Sequence, residues 1–318
     1  MIILDDVRDK VIENIKQAIK DEEWYAKVEV NDPVLTTNER DVLLKKVMKR
    51  RHTPKYLFNR RMARYMANMA SRMVNISTHI EGIEKVKRLK GGAIITSNHF
   101  SPVENAIVRY MILKAGKKHL NIVSQETNLA MEGMLGFLMN YADIIPISNN
   151  RNYMTKFFEP QLKEMMANKE FTLIYPEQEM WFNYRKPRPP KRGPFYYASK
   201  LGVPVISCFV EMIDTKKKMA EDFVDVKYKI SVLDVMLPNP NKTIRENSIY
   251  MRDRDYALKK QAYEKAYGKE LTYDFDVSDI AGWRPEGVEE PPKKEEPKQE
   301  ESIQATKQEE QSENNEDK

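Results

Sequence analysis

The sequence predicts an α/β fold, a sheet flanked by helices, and three observations carry that prediction. Short apolar, β-branched runs alternate with amphipathic segments between residues 93 and 209. Helical signals gather on either side. Leu4, Val7, Val11, Ile15 and Ile19 share one helical face, and Thr243-Ile244-Arg245-Glu246 spells a capping box before a polar helix that runs to about Tyr267 and Gly268. Beyond Pro285 the chain is Glu, Lys, Gln, Pro, Ser and Asn, too poor in apolar residues to offset its ordering entropy, so a disordered tail is expected. The 318 residues therefore divide into an N-terminal helical region (1–80), an α/β domain (81–240), a helical extension (241–285) and a polar tail (286–318).

Taken in order, residues 4–21 form a short docking helix, and 31–39, with Pro33, Thr36, Thr37 and Asn38, form a loop. Val42 to Ile80 holds no Asp or Glu but ten basic residues: Lys45, Lys46, Lys49, Arg50, Arg51, Lys55, Arg60, Arg61, Arg64 and Arg72. Within it Phe58, Met62, Tyr65, Met66, Met69, Met73 and Ile76 recur at helical spacing, which makes a basic amphipathic helix with a Met-rich apolar side. Such a stripe suits packing on its own domain as well as the headgroup layer of an anionic membrane. The acid-free run favours the membrane, where each nearby Lys or Arg contributes on the order of 1 kcal/mol. Nucleic acid is not expected, because no helix-turn-helix, zinc spacing or RNP-like aromatic signature accompanies the charge.

Gly91 to Ala115 is the stretch where chemistry concentrates. Ala93–Thr96 reads as a strand, a polar turn follows, and Ala106, Ile107, Tyr110, Met111 and Ala115 mark a helix. His99 and Glu104 stand at the junction between the strand's carboxyl end and the helix's amino end, where α/β proteins commonly place their sites. A neutral imidazole can take a hydroxyl proton near pH 7, and a carboxylate on its other nitrogen fixes the tautomer. Glu104 has a competing structural role, since Ser101-Pro102-Val103-Glu104 also spells a capping box, and one carboxylate is not expected to do both jobs fully.

The alternation continues with a strand at 120–124, an apolar helix at 131–141, a strand at 143–148, a helix from about 153 to 168 and a buried strand at 171–175. Tyr175-Pro176-Glu177 closes that strand with an acidic, aromatic turn at the same sheet edge as His99 if the strands are parallel. Tyr184 to Gly193, YRKPRPPKRG, reads as a Pro-stiffened surface loop whose Arg185, Lys186, Arg188, Lys191 and Arg192 suit an anionic headgroup, the phosphates of an acyl carrier or lipid at the membrane surface, with simple solvation as the alternative. A helix at 194–201 ends at Gly202, a strand follows at 203–209, and 224–236 makes one or two strands at the sheet edge.

Composition narrows the classes. The formal charge is +5, hydrophobic residues make up 41% and can supply a core, and the one cysteine, Cys208, excludes disulfides and points to a reducing, cytoplasmic setting. The acids of MIILDDVRDKVIEN stand where a signal peptide would be apolar, and no run of 18 apolar residues would span a membrane. The histidines at 52, 79, 99 and 119 are too scattered for a metal centre, so no metal is expected.

Asn98-His99-Phe100-Ser101-Pro102-Val103-Glu104 resembles the first motif of the lysophospholipid acyltransferase family, NHxSxxD, with Glu104 in place of the usual Asp. Tyr175-Pro176-Glu177 resembles the start of the family's FPEGTRS motif, DIIPISNNRN at 143–152 its second motif, and Val203-Pro204-Val205 its fourth; these cover about Gly91 to Met212. The resemblance implies a glycerolipid-acyltransferase-like mixed sheet and a peripheral O-acyltransferase on the inner membrane face. It would move a fatty acyl group from a coenzyme A or acyl carrier protein thioester to a hydroxyl of a lysophospholipid or lyso-glycolipid, with no other cofactor. His99 would be the base, Glu104 its orienter, and Asn98, Ser101, Tyr175, Pro176 and Glu177 would border the substrates. Gln178, Glu179, Met180 and Asn149 depart from the family, removing the arginines held to grip a phosphate. Either Arg151, Lys156, Arg185 or Arg188 substitutes, or the acceptor carries a sugar or another neutral headgroup. A non-catalytic lipid-binding protein on the same scaffold is the alternative.

Overall fold

The computed structural model describes residues 5–30 and 32–286; the expected tail from 287 onward, Leu4 and Asn31 lie outside the described residues. Helices α1 (Asp5–Lys20), α2 (Thr37–Arg50) and α3 (Pro54–Val74) precede strand β1 (His79–Glu81) and the short α4 (Ile83–Lys87). Then come β2 (Ala93–Thr96), α5 (Asn105–Lys114), β3 (Leu120–Gln125), α6 (Gly133–Tyr141) and β4 (Ile144–Ile147). Next, α7 (Arg151–Tyr153) passes through a π-turn into α8 (Glu159–Ala167), and β5 (Phe171–Leu173), α9 (Gly193–Leu201), β6 (Val205–Lys218), β7 (Val224–Met236) and α10 (Ile244–Tyr267) follow, with a short 3₁₀ turn at Val277–Asp279.

The strands form one mixed sheet in the order β1-β7-β6-β2-β5-β3-β4, as the α/β reading requires. β2 lies between β5 and β6 and runs parallel to both, with Ile94 opposite Thr172 on one side and Val205 on the other. β7 is antiparallel to β6 and parallel to β1. Strand alternation sorts the core onto two faces. Ile95 joins Phe100, Ile107, Val108 and Met111 on one face, while Ile94 joins Phe158, Leu162, Phe195 and Met251 on the other. Each side chain buried this way is worth roughly 1.5–3 kcal/mol. Cys208 is fully buried on β6, and burial pushes its thiol up to about 12.

Several expectations need correction. The loop read at 31–39 ends at Thr36, which caps α2 through a capping box with Glu39. The acid-free run is two helices, broken before Thr53, the N-cap of α3, with Pro54 at its first position. β1 had no sequence signal, and β7 is a single strand one place in from the edge. Tyr184–Arg188 is not a surface loop: Arg185, Lys186 and Arg188 are buried in ion pairs with Asp214, Asp279 and Glu177. Cations compensated in this way can be buried, which a charge count along the chain does not register.

Helix α3 buries Tyr56, Ala63 and Ser71, and polar bonds anchor its inward side. Arg60 and Arg64 bond the fully buried carboxylate of Asp143, the residue before β4, and Ser71 Oγ donates to the Ala106 carbonyl at 2.6 Å. Burial alone would raise the Asp143 carboxyl, but Arg64 and Arg60 hold it below its ordinary value. The apolar stripe consequently faces outward: Phe58 is 66% exposed, Tyr65 65%, Met73 71% and Ile76 85%. Among the described residues no helix is long and apolar enough to cross a membrane.

Candidate active site

The site is built where β2 stops. After Thr96 the ladder is continued by a side chain: Asn98 Nδ2 donates to the Val210 carbonyl at 3.0 Å, and its Oδ1 accepts from the Val210 N–H at 2.8 Å. This clamp on β6 fixes the backbone one residue before His99. The next two carbonyls are held as well, with Trp181 N–H donating to His99 O at 3.1 Å and Asn183 N–H to Phe100 O at 2.8 Å.

His99 Nδ1 is bonded to Glu104 Oε1, and the imidazole stacks on the Tyr175 ring with centroids 4.0 Å apart and planes within 5°. The other carboxylate oxygen, Oε2, accepts from the backbone N–H groups of Phe100 and Ser101. The two roles foreseen for Glu104 are thus divided between its two oxygens. The capping box itself is only half formed: Ser101 Oγ accepts from Val103 N–H, and α5 begins after Glu104. With Nδ1–H donated to the carboxylate, Nε2 keeps its lone pair and is the basic nitrogen. Burial, and then Glu104, raise the Tyr175 phenol well above its ordinary range, so it stays protonated.

His99 stands at the polar end of a cavity of about 870 Å³. Tyr175, Ser101 and Glu104 line that end, while Ile122, Val123, Leu135, Met139, Ile144 and Phe158 contribute an apolar wall. A cavity of this volume, with a large apolar share of its lining and a few polar groups, is of the kind that takes a small-molecule or lipid ligand.

The remaining expected residues are distributed unevenly. Asn98 is 1% exposed and serves as the backbone clamp rather than lining the cavity. Pro176 is buried, and its carbonyl accepts from Lys191 N–H at 2.7 Å. Glu177 lies beneath the His99 loop, buried against Arg188, whose Nε donates to it at 3.2 Å. Arg188 also donates to the carbonyls of Trp24, at 2.8 Å, and Glu179, and covers the Trp181 ring. Arg185 is engaged by Asp214 and the Ser278 carbonyl. Neither arginine lines the cavity, and Arg151 and Lys156 are exposed outside it. Among the described residues, no group of three or more acidic, His or Cys side chains is arranged to hold a metal ion.

Sequence reasoning missed the strap at residues 24–30, whose Glu29 and Val30 line the cavity together with Asp32 and Pro33. Burial, and then the neighbouring Asp32, raise the Glu29 carboxyl to about 7. Gln125 and Asn128 join the lining and were likewise not foreseen, while Lys191 is the residue of the basic 184–193 stretch that reaches it.

Residues 77–211 match the family model described as Acyltransferase. No curated protein matches the sequence. Among solved structures, the fold is similar to the 1-acyl-sn-glycerophosphate (LPA) acyltransferase PlsC from Thermotoga maritima, with a TM-score of 0.50 at 13% identity over 73% of this chain and 97% of that one. At that identity the likeness speaks to the fold, and the family match speaks to the domain. Residues 77–211 of this chain are therefore similar to the family described as Acyltransferase, and its mixed-sheet fold is similar to that of PlsC.

Proposed function

We propose that the protein is a peripheral membrane O-acyltransferase that transfers a fatty acyl group from a coenzyme A or acyl carrier protein thioester to a hydroxyl of a lysophospholipid or lyso-glycolipid. The observation that carries this reading is the His99–Glu104 pair at the polar end of an apolar cavity of about 870 Å³. His99 Nε2 takes the acceptor's hydroxyl proton as its oxygen attacks the thioester carbonyl. Glu104 holds the tautomer and steadies the imidazolium. Collapse of the tetrahedral intermediate breaks the C–S bond, the imidazolium proton goes to the departing thiolate, and an ester remains. Asn98 sets the backbone position of His99, and Tyr175 supports the plane of its ring. The outward apolar stripe of α3, with exposed Lys45, Lys46 and Lys49 on α2, supports docking at the anionic inner face of a membrane.

The test is incubation with a labelled acyl thioester and total membrane lipid. A newly acylated lipid is expected, and His99→Ala should lose at least the ~10²–10⁴-fold of a general base while its circular dichroism is unchanged. Equal rates for mutant and wild type, or no product at all, would sink the proposal.

A further inference from the structure

We infer that Glu29 selects the acceptor: the polar end of the cavity takes a hydroxyl-bearing lipid whose headgroup carries an ammonium group, and it disfavours a phosphomonoester. This rests on the acyltransferase reading of the cavity and adds to it the chemical class of the acceptor.

The argument is one of unmatched charge in a defined cavity. Glu29, Asp32, Glu132 and Glu179 line it together with Glu104, whereas Lys191 is the one Lys or Arg in the lining among the described residues. Most of these acids already have partners. Glu104 is occupied by His99 and two backbone N–H groups, Glu179 Oε1 accepts from Gln125 Nε2 at 2.6 Å, and Asp32 pairs with Lys27 at 3.0 Å. Lys191 in turn lies 3.5 Å from the centre of the Tyr25 ring.

Glu29 is only half satisfied: the Phe182 backbone N–H bonds its carboxyl group, but its Oε1 is buried and has no hydrogen-bond partner. A carboxylate oxygen in that position is costly to leave unmatched and calls for a donor, preferably a charged one. It lines the same cavity as His99 and feels the imidazole electrostatically. An ammonium on Glu29 and a hydroxyl at His99 therefore belong to one headgroup. A phosphomonoester would bring up to two negative charges among carboxylates, and such like-charge juxtaposition acts against the wrong partner. The arginines that could offset it, Arg185 and Arg188, are committed to Asp214 and Glu177.

The experiment compares three acceptors with the same acyl chain: a monoacylglycerol analogue bearing a primary ammonium, neutral monoacylglycerol, and lysophosphatidate. The kcat/KM of wild type and Glu29→Gln is measured for each. Wild type should prefer the ammonium acceptor over the neutral one by about tenfold or more, the discrimination expected of a charge-assisted hydrogen bond, and should use lysophosphatidate least. Glu29→Gln should bring the ammonium-to-neutral ratio near one. Lysophosphatidate as the best acceptor, a neutral acceptor equal to the ammonium one, or a ratio unmoved by Glu29→Gln would each overturn the inference. The wild-type ranking decides even if the variant does not fold. Failure of the underlying acyltransferase reading has its own signature, the absence of acylation of any acceptor, and the inference would fall with it.

Discussion

Glu104→Gln and Glu104→Ala, made side by side, separate the two duties of that carboxylate. In Glu104→Gln the amide oxygen can still accept from Phe100 and Ser101 N–H, as Oε2 does now. The amide NH₂ then faces His99 Nδ1, which must become an acceptor, so the ring proton moves to Nε2 and the base is lost. Activity should fall by ~10²–10⁴-fold, the range for a mis-set general base. Stability should fall by only about 1 kcal/mol, the difference between charged and neutral acceptors. In Glu104→Ala both buried N–H groups lose their acceptor. At ~1–3 kcal/mol each, roughly 2–6 kcal/mol of stability should go, with a similar loss of rate. Urea unfolding and single-turnover acyl transfer on the same preparations provide the two readings. Wild-type turnover in Glu104→Gln would refute the orienting role, and equal destabilisation by Gln and Ala would refute the division of labour between the two oxygens.

Three other outcomes follow from the same structure. Replacing Phe58, Tyr65 and Met73 by Ser should weaken binding to anionic vesicles by about a hundredfold, at roughly 1 kcal/mol of interfacial burial each, with little change in melting temperature; unchanged co-sedimentation would show that the stripe does not meet lipid. Asp143→Asn should cost roughly 3 kcal/mol, because Arg60 and Arg64 lose their counter-ion. Since the Asp143 carboxyl is held low, its contribution is present above the ordinary Asp value and is lost as pH falls through the depressed one, which acid-unfolding curves of mutant and wild type would reveal. Glu29 has the opposite sign: its carboxyl is raised from 4.5 to about 7, so the folded state holds the extra proton and stability declines as pH rises between those values. That window corresponds to up to about 3 kcal/mol, and Glu29→Gln should flatten it in melting curves taken from pH 4.5 to 8.

The parts of this molecule legible in the sequence were those whose determinants are local. β2, its polar turn and α5 change hydrophobic period within 25 residues, and the His99–Glu104 contact spans five positions, so both could be read directly. What could not be read depends on distant partners. Arg185, Lys186 and Arg188 look solvated until Asp214, Asp279 and Glu177 are brought beside them by folding. β1, with three residues, has no period to detect and exists because β7 offers it a parallel edge. The strap carrying Glu29 has no regular structure; it is held by the Asn14 side chain on the Val28 carbonyl and by the Trp181 indole on that of Ala26. The outward face of α3 was detected as an apolar stripe, but its orientation followed only from where Asp143 lies.

The sealed position of Cys208 has a practical corollary. In the proposed reaction each turnover would liberate a sulfhydryl, and the protein's own sulfhydryl is both inaccessible and far too basic to ionise near neutrality. A chromogenic disulfide reagent added to the reaction would therefore register the released carrier against a silent background. A single engineered surface cysteine could likewise carry a fluorophore without first deleting the natural one.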